Sequence, residues 1–269
     1  MNPGSKHSEI IDAFSRIEPL FDYRPEDFTV TALPGYTNHN YRLRRDQQDW
    51  VLRIPKAETN AYVDRRAEAR NQAQAARENL APTAVWRDDS GLSLTPTLSG
   101  RALQGSDLTE PRSRRVVAAA LSRLHSSELE FIGRVDPGDL IPRYYRLTPP
   151  EVQAELSARW RQAQASLRWL DGRDLPPVAS HNDLILENLL LDRDRLWMID
   201  WEFSAMASPY WDLATLCNAA QLTPAQASQL MRDYCAQASP MEESVLCVYR
   251  DLLQLLNDCW MAALVPEAT

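Results

Sequence analysis

The chain has 269 residues, of which 44% are hydrophobic and 25% charged, with a formal net charge of −8. That is enough apolar material for one large domain or two lobes sharing a cleft, and no run approaches the roughly 18 apolar residues that a membrane span needs. Residues 1–100 carry 13 basic and 14 acidic side chains and residues 101–269 carry 16 and 23, so the C-terminal part is a poor surface for nucleic acid or anionic lipid. Its acidity suits a cationic ligand, while composition alone favours a plain solubility role. The first ten residues contain no apolar stretch of the kind that opens a secretory signal, and a cytoplasmic location is expected. Cys217, Cys235, Cys247 and Cys259 form no Cys-x-x-Cys pair, which argues for reduced thiols and against zinc.

Taken in order, residues 8–21 place Ile10, Ile11, Phe14 and Ile17 at helical spacing and predict an amphipathic helix. Strands are expected over 28–33, 40–43 and 50–54, the first two separated by Pro34-Gly35-Tyr36-Thr37-Asn38 and the last two by the charged turn 44–49. Residues 61–79, rich in Ala, Arg, Glu and Gln, predict a helix. Strands over 84–86 and 92–97 complete a five-stranded antiparallel sheet with one helix inserted after its third strand. Gly100 marks a hinge. A mainly helical part follows, with helices over 111–125, 149–170, 210–219, 225–238 and 242–264. A short hairpin over 188–191 and 196–199 turns at Asp192-Arg193-Asp194-Arg195. The reading divides the chain into 1–99 and 100–269.

The chemistry concentrates in residues 180–215. His181-Asn182-Asp183 is followed five positions later by Asn188, and the hairpin brings Asp200 back beside Asn188. An amide oxygen and a carboxylate oxygen converging on one point suit Mg²⁺, which takes few protein ligands and keeps phosphate and water in its shell. Asp183 precedes them and can face an incoming hydroxyl, so the set has the parts of phosphoryl transfer: a metal for the β and γ phosphates and a carboxylate for the nucleophile's proton.

These residues carry a resemblance. His-x-Asp-x-x-x-x-Asn followed by Ile199-Asp200-Trp201-Glu202-Phe203, with Ser208-Pro209-Tyr210-Trp211-Asp212 beyond, is similar to the aminoglycoside phosphotransferase and choline kinase superfamily, closest to its bacterial choline kinases and thiamine kinases. Gly35-Tyr36-Thr37-Asn38-His39-Asn40-Tyr41 and Val51-Leu52-Arg53-Ile54-Pro55 extend the likeness over roughly residues 28–215. It implies an α+β, bilobal, protein-kinase-like fold and an ATP-dependent, Mg²⁺-dependent kinase. Asp183 is then the catalytic base, and Asn188 and Asp200 bind the metal. His181 and Asp212 hold the catalytic loop.

Neither Lys6 nor Lys56 sits where protein kinases keep their phosphate lysine. The resemblance implies that Arg53 takes that place, with Glu68 as its partner and its planar fork on phosphate oxygens. A full Gly-x-Gly-x-x-Gly loop is absent, and Thr37 and Asn38 are expected to supply polar contacts to the nucleotide. The adenine edge is expected against backbone near residues 96–99.

The acceptor is expected to be a small cationic alcohol, choline or ethanolamine first, with thiamine and aminoglycosides as alternatives. A quaternary ammonium asks for aromatic faces and nearby carboxylates, and Glu202, Phe203, Tyr210 and Trp260 are the expected wall. Two readings from other classes are an inactive binding module on a kinase fold and a metal-dependent phosphohydrolase. The hydrolase would ask for more clustered Asp, Glu and His than the sequence holds. Oligomeric state is not legible.

Overall fold

Alternation along three neighbouring strands decides which side chains meet in the N-terminal lobe. The structure, a computed structural model, describes residues 3–35, 37–57, 63–173, 175–238 and 240–264. Strands β1 (Thr29–Leu33), β2 (Asn38–Arg45), β3 (Gln48–Pro55), β4 (Trp86–Arg87) and β5 (Ser93–Pro96) form one antiparallel sheet in the order β1-β2-β3-β5-β4. Tyr41, Leu52 and Leu94 share one cross-strand row and are buried. They pack with Phe14, Ile17 and Leu20 from helix α1 (Pro3–Arg16) and the turn after it. The next row, Asn40, Arg53, Ser93 and Arg87, therefore points to the other face, toward the interior of the molecule.

Helix α2 (Arg65–Arg77) lies against that second face. Asp64 caps it, its carboxylate accepting from Arg66 N and Ala67 N at 3.0 Å each. Tyr36 of the predicted turn and residues 61–62 of the predicted helix lie outside the described residues.

The chain leaves the sheet through Gly100, at φ +110, where a Cβ would lie 2.8 Å from Leu191 O. Strand β6 (Arg101–Ala102) follows. Then come helices α3 (Pro111–His125), α4 (Pro137–Leu147) and α5 (Pro150–Asp171), strands β7 (Val178–Ser180), β8 (Leu189–Asp192), β9 (Arg195–Met198) and β10 (Ala205–Ala207), and helices α6 (Pro209–Ala219), α7 (Pro224–Cys235) and α8 (Glu243–Leu264). Helix α4 and strands β6, β7 and β10 are not among the predicted elements.

A second apolar core, separate from that under the sheet, joins α3, α6, α7 and α8 around Leu121, Trp201, Leu213 and Leu252. The two cores give the bilobal form. No helix among the described residues is long and apolar enough to cross a membrane.

Two small sheets frame the site. Strands β6, β8 and β9 form one, and β7 pairs antiparallel with β10, Ser180 opposite Ala205. The loop from β7 to β8 and the loop from β9 to β10 therefore start and finish side by side. Asp183 and Asn188 lie in the first loop and Asp200 and Glu202 in the second.

Candidate active site

The first loop is fastened at its base. Asp212, fully buried in the first turn of α6, accepts from His181 N at 2.9 Å and Asn182 N at 2.7 Å. Burial alone would raise the proton affinity of Asp212, but His125, His181 and the backbone donors hold its carboxyl below the usual range. The buried His181 ring donates through Nε2 to Ile199 O at 3.0 Å and accepts Asp183 N through Nδ1 at 3.4 Å. Burial lowers the pKa of His181, so the ring is neutral and suited to exactly one donor and one acceptor role. His181 thereby ties the first loop to the second.

Asn182 sits at φ +66, with its carbonyl receiving Trp211 Nε1 at 3.2 Å and its amide donating to Phe203 O at 3.0 Å. That unusual backbone turns the next residue, Asp183, out of the strand direction. Asn188 Nδ2 donates both to Asp183 O, at 2.9 Å, and to Asp183 Oδ2, at 3.0 Å. Ile199 N donates to Asn188 O at 2.9 Å, which sets Asp200 beside Asn188, and Asp200 also takes a positive φ, +63.

Arg53 enters from the sheet. Its guanidinium pairs with Glu68 of α2, with Asp200 Oδ1 at 3.2 Å and with Glu202 Oε2 at 2.9 Å. Glu68 also accepts from Arg65 at 2.9 Å and Arg87 at 2.8 Å, and Arg65 reaches Glu202 at 3.2 Å. Three arginines thus interleave with Glu68, Asp200 and Glu202 where the lobes meet. Burial disfavours the charge on Arg53, but Asp200, Glu68 and Glu202 outweigh it and raise its pKa. Burial likewise works against ionised Glu68, and Arg53 and Arg87 prevail in lowering its pKa.

The remaining carboxylates bind their protons more tightly than free ones do, chiefly through burial. Burial, with Asp200 and Glu202 nearby, pushes Asp183 up to about 7. Burial also raises Asp200 and Glu202 against the pull of Arg53. Among the described residues no cluster of three His, Cys, Asp or Glu side chains is set to hold a metal. The donor set fits Mg²⁺ on other grounds. Asn188 donates its NH₂ to Asp183, which leaves its carbonyl oxygen for another partner, and Asp200 adds a hard carboxylate whose ionised form burial disfavours and a cation would favour.

Thr37 and Asn38 are both buried under the sheet's turn, with Asn38 Nδ2 donating to Thr37 Oγ1 at 2.8 Å and to Glu202 Oε2 at 3.3 Å. A Cβ on Gly35 would stand 2.4 Å from Asn38 O, so this tight turn admits glycine.

The expected acceptor wall is dispersed. Glu202 is 7% exposed and is taken up by Arg53, Arg65 and Asn38, a position in the junction between lobes and not on an open wall. The reason is local: Glu202 lies one residue past Trp201, whose ring is buried in the core, and so turns toward the sheet. Tyr210 is buried, stacked on Tyr249 at 5.7 Å, its hydroxyl accepting from Glu242 N at 2.7 Å. Phe203 is partly exposed beside Asn182. Trp260 is half-buried on α8, roughly 16 Å along the axis from Tyr249. Sequence reading had no signal for Arg87, His125, Tyr234 or the Arg65–Glu202 pair, because these partners lie 19 to 137 positions apart in the chain.

The chain matches the phosphotransferase enzyme family (APH) over residues 29–245. It is 30% identical to protein LicA of Haemophilus influenzae over 257 residues, which cover 88% of this chain and 74% of that protein. The crystal structure of a choline/ethanolamine kinase family protein from Mesorhizobium loti superposes with a TM-score of 0.80 at 28% identity, covering 94% of this chain and 84% of that one. Choline kinase LicA from Streptococcus pneumoniae shares the fold, with a TM-score of 0.77 at 23% identity over 87% of this chain and 84% of its own. With the ordered Asp, Asn and Asp of its two loops, this chain belongs to the phosphotransferase enzyme family and is a small-molecule kinase.

Proposed function

We propose that this kinase transfers the γ-phosphoryl group of ATP to the hydroxyl of choline or ethanolamine, in a cleft between lobes 1–99 and 100–269. The observation that carries the reading is the convergence of Asp183, Asn188 and Asp200 from two loops, opposite Arg53 from the sheet. The likeness to LicA and to a choline/ethanolamine kinase family protein supports the acceptor class, and the acidity of residues 101–269 is consistent with a cationic alcohol.

In this reading Asp183 accepts the acceptor's hydroxyl proton as the new O–P bond forms and ADP departs. Its raised proton affinity makes it a better base than a free carboxylate. Asn188 and Asp200 hold Mg²⁺, which supplies positive charge for the phosphate oxygens when bound. Arg53 binds phosphate oxygens while Glu68 fixes its fork. Gly35, Thr37 and Asn38 shape the turn over the nucleotide, and His181 and Asp212 hold Asp183 in place. Phe203 and Trp260 remain the aromatic candidates for the ammonium. Tyr210 supports the wall from behind, and Glu202 braces the lobes.

ADP release over choline, ethanolamine, thiamine, aminoglycosides and sugars, with and without Mg²⁺, tests this. Phosphocholine or phosphoethanolamine should form only with Mg²⁺, and Asp183→Ala should remove about 10²–10⁴-fold of the rate. Preference for a sugar or aminoglycoside would overturn the acceptor. ADP release by wild type no faster than by the mutant with every alcohol would support a binding module, and ATP loss without a phosphorylated acceptor would support a hydrolase.

A further inference from the structure

The support beneath the catalytic loop extends past Asp212. His125 Nε2 lies 3.1 Å from Asp212 Oδ2, the same oxygen that accepts His181 N. On its other side His125 Nδ1 lies 3.0 Å from the hydroxyl of Tyr234. An ionised Asp212 only accepts, so His125 Nε2 carries the proton. His125 Nδ1 pairs with the Tyr234 hydroxyl, which can take either role in the bond. The result is a continuous chain: Tyr234 of α7, His125 at the end of α3, Asp212 of α6, and the backbone N–H groups of His181 and Asn182.

Every member is buried: Tyr234 is 3% exposed, His125 6%, and Asp212 and His181 0%. Each hydrogen bond therefore polarises the next in a low-dielectric setting, and none has water to replace it. The pair is also held from outside. Helices α3 and α7 are joined by Arg114–Asp233 at 2.7 Å and by Ser122 Oγ to Gln237 O at 2.9 Å, and the His125 and Tyr234 rings meet edge to face at 5.6 Å.

The far end of the chain is where geometry is most demanding. Asn182 stands at φ +66, a conformation that persists only when its surroundings impose it. Its N–H is one of the two groups that Asp212 grips, and the next residue is Asp183. Without His125, Asp212 keeps both backbone donors but loses the side-chain bond on Oδ2, the oxygen that also receives His181 N, and the loop's anchor loses its brace to α3.

We propose that His125 and Tyr234 are positioning residues for the transfer reaction, acting through Asp212 to hold Asp183 at its working angle. This rests on Asp183 being the base. Neither residue touches the reacting atoms, so both govern kcat and leave the two substrate KM values alone.

Tyr234→Phe, which keeps the ring and removes one hydroxyl, should lower kcat about fivefold, the equivalent of one net hydrogen bond. His125→Ala should lower it about 100-fold, with part of the loss restored by added imidazole. His125→Gln, whose amide can still donate to Asp212, should fall between them. KM for ATP and for the alcohol should stay within twofold. In the whole protein, hydrogen exchange at the amides of His181 and Asn182 should quicken in Tyr234→Phe and His125→Ala while amides within α3 and α7 keep their protection. Wild-type kcat in Tyr234→Phe with unchanged protection at 181–182 would overturn the proposal. So would uniform loss of protection across α3 and α7 with activity falling only by the unfolded fraction. If wild type phosphorylates no alcohol, the functional reading fails, and exchange at 181–182 alone decides the positioning role.

Discussion

Arg53 and Glu202 face one another where the two lobes meet, with Nη2 2.9 Å from Oε2. Glu202 also receives Arg65 and Asn38, so three groups of the N-terminal lobe end on one carboxylate of the C-terminal lobe. Four tests follow from this junction and its surroundings.

Arg53→Lys keeps the charge and loses the fork. An ammonium is a point donor and cannot face Glu68, Asp200 and Glu202 in fixed directions at once. Steady-state kinetics should show kcat/KM for ATP down by about 10–100-fold, a loss of about 1.4–3 kcal/mol of transition-state stabilisation. An unchanged value would remove Arg53 from the nucleotide site.

Glu202→Gln separates a brace from an acceptor carboxylate. The neutral amide leaves Arg53 and Arg65 with less negative charge between them. As a brace, its loss should lower kcat/KM for ATP about tenfold and leave the alcohol's KM within threefold. A selective rise in the alcohol's KM would return Glu202 to the acceptor wall.

Asp183→Asn probes charge at the base of the cleft without metal. The pKa of Asp183 is raised from 3.8 to about 7 in the folded protein, chiefly by burial. The folded state thus binds the proton more tightly than the unfolded chain does. Ionisation therefore costs stability progressively as pH rises from about 4 to about 7, and the cost is constant above that. In metal-free buffer the Tm advantage of Asp183→Asn over wild type should be near zero at pH 4 and grow to a plateau above pH 7. The plateau should be on the order of 1–2 kcal/mol, or a few degrees, once screening by solvent at the cleft is allowed for. A difference that does not vary with pH would contradict the raised affinity. Activity in the same variant should be down by about 10²–10⁴-fold at every pH.

Gly100→Ala places a Cβ against backbone at a φ that side chains avoid. The methyl would meet Leu191 O at 2.8 Å and Leu191 C at 3.0 Å. A loss of about 1–3 kcal/mol is expected, read as a lower urea midpoint with unchanged slope. An unaltered midpoint would mean that the strand can shift at no cost.

Much of the fold was legible because its signals are local. The 188–199 hairpin announces itself by apolar runs on either side of Asp192-Arg193-Asp194-Arg195, and α3 begins and ends where Pro111 and His125 predicted. The spacing of Asp183, Asn188 and Asp200 was equally plain, since a hairpin dictates who returns beside whom. Helix α4 lies in a stretch where Pro137, Gly138 and Pro142 all have poor helix propensity, yet Pro137 opens the helix and Asp136 caps it, with Gly138 N at 2.7 Å from its carboxylate. Strands β7 and β10 are three residues each and exist through long-range pairing, with each other across 25 positions at Ser180 and Ala205 and, for β10, also with residues 133–135. Glu202 looked like a partner for a cationic alcohol because aromatics flank it. Its partner Arg65 stands 137 positions earlier, a relation that no local pattern encodes.

Thr97 N is fixed to Asp49 O at 2.9 Å on one side, and Arg101 is laddered to Leu191 on the other. Between these anchors only residues 97–100 are available to bend. The chain itself crosses between the halves through these few peptide units, and the far anchor belongs to the β8 ladder, which begins one residue after Asn188. Under the proposed function, a shift of the sheet on nucleotide binding would reach the reactive loops through this short link together with α2, whose Asn71 holds Ser204 O and whose following Leu80 holds Met198 N.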